Sequence, residues 1–427
     1  MTERISPAKS VSGSIRLPGD KSISHRYAML GAIAEGTTKI RNYSTGADCQ
    51  STLGCMQALG AGVERHNGEV WIHGRGAAGL TEPQATLDAG NSGSTIRMLS
   101  GILAAQPFPS RIAGDESLSR RPMERIIKPL AQMGAEIEAR DGKFPPLSIR
   151  GHALHPIDYT LPVASAQVKT CVLFGGMFAE GATVVREPVR TRDHSEIALR
   201  GFGADIEVAG RVITLTGPAR LQAREVIAPG DLSSAAFFIV AALILPGSSL
   251  VIEGVGLNPT RSGLLDFLLG MGARIRILNL EDSAGELIGN IEVKHSPVRG
   301  GILEKAQTAA LIDEAPVLAV LGAVSEEGLT VRDASELRVK ETDRITTVVE
   351  NLRRMGVEAE EMQDGFHVPG RQKFRAAELD SFGDHRIAMA FSVAALAASG
   401  DCAIHDAGAA SVSFPEFYNT LRTIAAG

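Results

Sequence analysis

Leu130-Ala131-Gln132-Met133-Gly134-Ala135 ends an amphipathic stretch on an apolar–Gly–Ala step, and the step recurs along the chain. It reads Met56-Gln57-Ala58-Leu59-Gly60-Ala61, Leu199-Arg200-Gly201-Phe202-Gly203-Ala204, Leu268-Leu269-Gly270-Met271-Gly272-Ala273 and, with Val last, Leu352-Arg353-Arg354-Met355-Gly356-Val357. Phe417 to Ile424 reads as a shortened sixth copy that lacks a final strand. Between these lies a second, more apolar helix, led by small polar residues and followed by a Gly turn and a β-branched run. Its copies are Ser22–Ala34, Ser92–Ala105, Ser165–Ala179, Leu232–Leu245, Ala315–Val324 and His385–Ala398. Self-similarity at a period of about 70 residues decides architecture before any motif does. It predicts an α/β protein built from six copies of a helix–strand–helix–strand unit.

Length and composition agree. The chain has 427 residues, more than one hydrophobic core usually serves, so two domains of about 200 residues are expected. Aromatics are only 4% of the chain, so the cores must be packed with Leu, Ile, Val, Ala and Met. Three units precede residue 228 and three follow it, with Pro229-Gly230-Asp231 as the crossing and Asp231 or Ser233 capping the next helix. One strand, Arg4 to Leu17, precedes the first unit and ends at Pro18-Gly19-Asp20. It is expected to complete the C-terminal half. The domains are then 1–19 with 229–427, and an inserted 20–228. Two crossings, near 18–21 and 228–231, would make a hinge of the kind that closes on ligands.

A net charge of -6 argues against a nucleic-acid partner, though a locally positive site can still bind a small anion. The four cysteines form no CxxC and no metal-like cluster with His, which suits reduced thiols. No apolar signal region opens the sequence, and the longest apolar run, Ala235 to Leu245, is too short to span a bilayer. A cytoplasmic monomer with no membrane partner is expected.

The six apolar helices begin at Asp20-Lys21-Ser22, Asn91-Ser92-Gly93, Ser165-Ala166-Gln167, Asp231-Leu232-Ser233, Asp313-Glu314-Ala315 and Asp384-His385-Arg386. Free N–H groups and a positive dipole end make such starts good sites for phosphate or carboxylate. Read singly, these Ser, Asp and Asn are ordinary N-caps. Lys21, Arg26 and Arg386 shift the balance, because cations in a first turn oppose the dipole unless an anion lies nearby. Three charged loops precede Leu-rich helices at equivalent places: Ser119–Arg125, Arg190–Glu196 and Arg338–Arg344.

Three motifs are specific in combination: Leu17-Pro18-Gly19-Asp20-Lys21-Ser22-Ile23-Ser24-His25-Arg26, Arg338-Val339-Lys340-Glu341-Thr342-Asp343-Arg344 and Gly383-Asp384-His385-Arg386-Ile387-Ala388-Met389. With them the chain resembles the 5-enolpyruvylshikimate-3-phosphate synthase family along its whole length. Ser165-Ala166-Gln167-Val168-Lys169 and Arg192-Asp193-His194-Ser195-Glu196 look like its class II branch, known for members that tolerate glyphosate. The resemblance implies two similar domains, each of three βαβαββ units with quasi-threefold symmetry, the inside-out α/β barrel of enolpyruvyl transferases. It implies a transferase of the shikimate pathway, toward chorismate and the aromatic amino acids. Phosphoenolpyruvate and shikimate-3-phosphate would be the substrates, with no cofactor and no metal.

Roles follow from the resemblance position by position. Lys21, Arg121, Arg344 and Arg386 look like a phosphoenolpyruvate clamp, joined by Asn91, Gly93 and Gln167. Lys21, Ser22, Arg26, Ser165, Ala166, Gln167, Arg192, Asp313 and Lys340 look like the shikimate-3-phosphate site. Asp313 is the candidate base at the 5-hydroxyl, Glu341 the candidate acid–base at C3, and Lys21 a partner in proton transfer. A Glu flanked by Lys340 and Arg344 should have a depressed pKa, although an acid must hold its proton near neutral pH, unless burial or the negative charge of bound substrate opposes the cations. A lysine often found before the last Phe-Pro pair is missing here, since Ser411-Val412-Ser413 precede Phe414-Pro415. Either one cation of the clamp is absent, or another basic residue such as Lys169 or Arg120 substitutes. Gly93, rather than Ala, leaves room for glyphosate to inhibit. The alternatives are a non-catalytic anion-binding protein of the same fold, a UDP-N-acetylglucosamine enolpyruvyl transferase and an RNA 3′-phosphate cyclase. Leu118-Ser119-Arg120-Arg121-Pro122 lacks the loop Cys typical of the second, and the acidic charge suits the third poorly.

Overall fold

The computed structural model describes residues 1–66 and 68–426. The apolar–Gly–Ala steps are helix stops. Helices Ala47–Ala58, Glu124–Gln132, His194–Gly201, Gly263–Gly270 and Arg344–Arg354 each run into a glycine of positive φ. The angles are 90° at Gly60, 102° at Gly134, 98° at Gly203, 96° at Gly272 and 76° at Gly356. The next residue returns its N–H to the carbonyl five positions back, as in Ala61 to Met56 and Ala135 to Leu130, both 3.0 Å. That closes a Schellman cap, which only glycine enters without strain. The recurring letters are therefore a backbone requirement.

The other helix set is Lys21–Ile33, Gly93–Leu103, Ala166–Gly176, Leu232–Ile244, Ala315–Val324 and His385–Leu396. These are the cores. Every residue of His385–Leu396 is buried, as is all but the last of Leu232–Ile244. Helices Gly93–Leu103 and Ala166–Gly176 approach so closely that a Cβ at Gly101 would lie 2.2 Å from the Cys171 carbonyl oxygen. Five starts are capped by side chains: Asp20 accepts from Ile23 N–H, Ser92 from Thr95, Ser165 from Val168, Asp231 from Ser233 and Asp384 from Arg386. Asp231, not Ser233, is the cap of its helix. The exception is Glu314, whose side chain makes no capping bond.

The chain divides into two units. A composite unit takes Met1–Pro18, Pro229–Glu281 and Leu287 onward, and an inserted unit takes Gly19–Ala228 with Asp282–Glu286. The last segment is the tip of the Arg274–Ser283/Glu286–Lys294 hairpin, and its buried Glu286 lies 2.7 Å from His194 Nδ1. In the inserted unit three four-stranded sheets share one order. A short strand lies parallel to a longer one, and that one pairs antiparallel with a hairpin. Glu225–Ile227, Glu35–Arg41, Glu69–Arg75 and Gly62–His66 form one of the three.

The composite unit repeats this order with Gly301–Leu303, Leu329–Val331, Gly365–Val368 and Glu360–Met362. Its other two sheets borrow from the N-terminal segment, which is two strands rather than the one expected. Ser10–Arg16 lies parallel to Ser249–Gly256, and Glu3–Ile5 pairs antiparallel with Cys402–His405. The sixth repeat also has a last strand after all, Ala425–Ala426, paired with Ser10 and Val11. Among the described residues no single helix is long and apolar enough to cross a membrane.

Candidate active site

In the inserted unit three core helix starts carry the predicted residues. Lys21 opens the first, and its Nζ lies 2.9 Å from Asp48 Oδ2. The first-turn cation thus has a carboxylate from its own chain, so its presence alone does not require a bound anion. Asn91 and Gly93 sit at the second start. Asn91 Oδ1 accepts from Arg121 Nη2 at 2.9 Å, and Asn91 Nδ2 donates to Asp115 at 2.7 Å. A methyl on Gly93 would come within 2.8 Å of Arg97 Nη1 and 3.6 Å of Arg121 Nη1. Arg97 Nη1 donates to Gln167 Oε1 at 2.7 Å, and Gln167 Nε2 donates to Ser94 at 2.9 Å. Gly93, Arg97, Arg121 and Gln167 therefore form one connected polar patch. Ser165 spends its hydroxyl as a cap, with Ala166 beginning the helix behind it.

Arg26 departs from the simple picture of a ligand-binding cation. It is 3% exposed. Its Nε donates to Ser195, its Nη1 to the Ser22 carbonyl and its Nη2 to Thr170, at 2.7, 2.7 and 2.8 Å. Burial lowers its pKa to about 10 despite nearby Glu196. Lys169 is not a substitute for the missing lysine. It is fully buried, with Nζ 3.0 Å from Glu187 and 2.6 Å from Glu196, both buried too. Burial raises the Glu196 pKa, and Lys169 only partly opposes it. Arg120 is no better placed, for it is exposed and pairs with exposed Glu116. Arg192 is half-buried in the loop that Glu187 anchors through the Thr191 N–H at 3.2 Å.

In the composite unit the charges are denser. Asp313 lies between helices Lys305–Leu311 and Ala315–Val324, so it is not the N-cap; Glu314 occupies that position. Three cations approach the Asp313 carboxylate: Lys340 at 3.8 Å, Arg344 at 3.7 Å and Arg386 at 3.9 Å. Arg386 also donates to the Asp313 carbonyl at 3.0 Å. Arg344 is 1% exposed and meets Asp384 twice, Nε to Oδ2 at 2.7 Å and Nη2 to Oδ1 at 3.2 Å. Its Nη2 also reaches Glu341 at 2.6 Å. Burial pulls the Arg344 pKa down, but Asp384 and Glu341 more than reverse this and hold it raised. Burial lowers the pKa of Lys340, with Asp313 opposing.

The sequence reading missed the carboxylates that hold the cations: Asp48 on Lys21, Asp384 on Arg344 and Glu314 beside Arg386. It also missed Arg261. A signal for Arg261 was present, since it stands in the loop before helix Gly263–Gly270, where the repeat puts Arg121 and Arg192 before their helices and opens a later helix with Arg344.

Comparison with known proteins adds a sequence relationship to this geometry. Residues 5–421 match the family model described as EPSP synthase (3-phosphoshikimate 1-carboxyvinyltransferase). The chain is 69% identical over 425 residues to a 3-phosphoshikimate 1-carboxyvinyltransferase of Solibacter usitatus, covering 100% of both. It is 54% identical to that of Koribacter versatilis, over 99% of this chain and 98% of the relative. An EPSP synthase structure from Acinetobacter baumannii superposes with a TM-score of 0.89 at 43% identity, covering 99% and 98%. The enolpyruvyl transferase NikO from Streptomyces tendae shares the fold at a TM-score of 0.80 and 20% identity, covering 99% and 96%.

Proposed function

This chain belongs to the EPSP synthase family, the 3-phosphoshikimate 1-carboxyvinyltransferases, and from that premise we infer which of its residues do the chemistry. It transfers the enolpyruvyl group of phosphoenolpyruvate to the 5-hydroxyl of shikimate-3-phosphate and releases phosphate. We propose that Asp313 takes the proton of that hydroxyl as its oxygen attacks C2. Glu341 delivers a proton to C3, which turns the methylene into a methyl. In the second half Glu341 removes a proton from that methyl while the C2–O bond to phosphate breaks. The enol ether re-forms and phosphate leaves. Lys21 shares the proton transfers at the departing phosphate.

The cations Lys21, Arg121, Arg344 and Arg386, with Asn91, Gly93 and Gln167, take the carboxylate and phosphate of phosphoenolpyruvate. Fixed charges aimed at the leaving oxygens stabilise a transition state without reorganising. Ser22, Ser165, Ala166, Gln167, Arg192, Lys21 and Lys340 hold shikimate-3-phosphate. Arg26 serves by fixing the Ser22 carbonyl and Ser195. One observation carries the assignment of the base: Asp313 meets Lys340, Arg344 and Arg386 within 4 Å. An anionic substrate can exchange with Asp313 for those cations at little electrostatic cost. We read the enzyme as cytoplasmic, which its four free, buried cysteines support, and as a monomer.

Phosphate release, measured with each substrate omitted in turn, tests the reaction. Release is expected only with both substrates present. Release without shikimate-3-phosphate, or none with both, overturns the reading. Asp313→Asn and Glu341→Gln are each expected to lower kcat by about 10²–10⁴-fold.

A further inference from the structure

The fourth arginine at this place in the repeat is buried, as Arg121 and Arg344 are. Arg261 is 5% exposed. Its Nη2 lies 3.1 Å from Glu314 Oε1 and its Nη1 donates to Glu314 Oε2 at 3.5 Å. Glu314 is 1% exposed and stands next to Asp313. The Ser233 hydroxyl donates to Glu314, and Arg261 Nη2 contacts the same hydroxyl. Asp231 Oδ1, the cap of helix Leu232–Ile244, lies 4.0 Å from Arg261 Nη2. Arg386 Nη1, from helix His385–Leu396, is 3.9 Å from Glu314 Oε1.

Three core helices of the composite unit thus begin around one buried charge cluster. The loop that supplies Arg261 is itself fixed. Asn258 Oδ1 accepts from the Thr260 N–H and hydroxyl at 2.8 and 2.7 Å, and the Asn258 carbonyl accepts from Arg261 N–H at 2.8 Å.

We propose that Arg261, Glu314 and Ser233 are positioning residues that set Asp313 and Arg386 for the transfer reaction. Glu314 forgoes the capping bond that five other helix starts make and turns its carboxylate inward instead. A buried pair of this kind often stabilises no more than an apolar pair of equal volume, so stability alone is a weak reason for its presence. Placement is a better one. The peptide that carries Asp313 is gripped from behind through Glu314, and in front its carbonyl accepts from Arg386. The guanidinium of Arg386 is held between that carbonyl and the charge of Glu314. A shift of the 313–314 segment would move the candidate base and one clamp cation together. Displacement by about 1 Å of such groups can cost about a hundredfold in rate.

The inference rests on the reaction proposed above, so the wild-type enzyme is first shown to need both substrates for phosphate release. Failure there sinks the reading of function, not this proposal alone. The double variant Arg261→Met/Glu314→Leu then separates placement from stability. It removes both charges of the pair, while Asp231 keeps its capping bond to the Ser233 N–H and Arg386 keeps Asp313, and it is expected to melt close to wild type. We expect kcat to fall about a hundredfold and the KM for phosphoenolpyruvate to rise. A double variant with native melting temperature and kcat within about threefold of wild type overturns the proposal. If that variant does not fold, Ser233→Ala, which keeps both charges, is read the same way. A several-fold loss of kcat at unchanged melting temperature supports the proposal, and a native kcat overturns it.

Discussion

Replacing Lys169 with Met would withdraw a cation from between two buried carboxylates. At 2.6 and 3.0 Å, and an effective dielectric of 20, each attraction is about 6 kcal/mol before desolvation is charged against it. The net cost of removing one partner from a buried ion cluster is about 3–5 kcal/mol, because the remaining charges stay uncompensated. Here two carboxylates remain. Burial already raises the Glu196 pKa with Lys169 in place. Without Lys169 the folded state holds a proton on Glu196 more tightly than the unfolded state does. A raised folded pKa gives stability that is lost as pH rises, so the deficit deepens from about pH 5 to about pH 7 by up to ~1.4 kcal/mol per unit.

Urea unfolding of wild type and variant across that range reads both the deficit and its slope. Below the midpoint, the variant should keep its KM for phosphoenolpyruvate within about threefold, as for a cation that supports the site only from behind. Unchanged stability combined with a KM raised tenfold or more would refute the reasoning. It would return Lys169 to the role of the missing clamp lysine.

Asp384→Asn should lower kcat/KM by about 10²-fold, because buried Arg344 loses the charge that fixes its fork; steady-state kinetics at saturating shikimate-3-phosphate reads it. Gly93→Ala should raise the KM for phosphoenolpyruvate more than it lowers kcat and should weaken inhibition by glyphosate, since the new methyl meets Arg97 Nη1 at 2.8 Å. Wild type slowed by millimolar glyphosate at limiting phosphoenolpyruvate is the matching control, and equal inhibition of both proteins would count against the contact. His25 is buried and its pKa is held well below the ordinary value by burial, then by Lys21 and Arg26. The unfolded chain therefore takes the proton first, and wild type should lose up to ~1.4 kcal/mol per pH unit as pH falls below about 6.5. His25→Asn should remove that slope, and parallel urea-midpoint curves for the two proteins would contradict it.

The sequence made the repeat legible because its signals are local. A Schellman cap spans six residues and a helix cap three or four, so Gly134-Ala135 or Ser92 with Thr95 carry their geometry in adjacent letters. The cation positions were legible for the same reason, through motif and repeat. Their carboxylate partners were not. Lys21 and Asp48 are 27 positions apart, and Arg344 and Asp384 are 40 apart. Lys169 shows the cost of this blindness. As a letter it is a spare cation near the site, and only tertiary contact reveals Glu187 and Glu196 around it. The N-terminal segment misled differently. Ser6-Pro7 interrupts what reads as one β-branched run, and the two halves join different sheets.

The pairing of those first strands has a consequence for synthesis. Glu3 lies opposite Ile404, so Glu3–Ile5 waits for a strand made about 400 residues later. At about 5–20 residues per second, that partner is some 20–80 s behind. Ser10–Arg16 waits in turn for Ser249–Gly256 and then for Ala425–Ala426. Most of the inserted unit meanwhile needs nothing beyond Ala228. The nascent chain thus carries a largely complete body flanked by unpaired N-terminal strands, whose edge groups are exposed to wrong partners until Ser249–Gly256 and then Cys402–His405 are made.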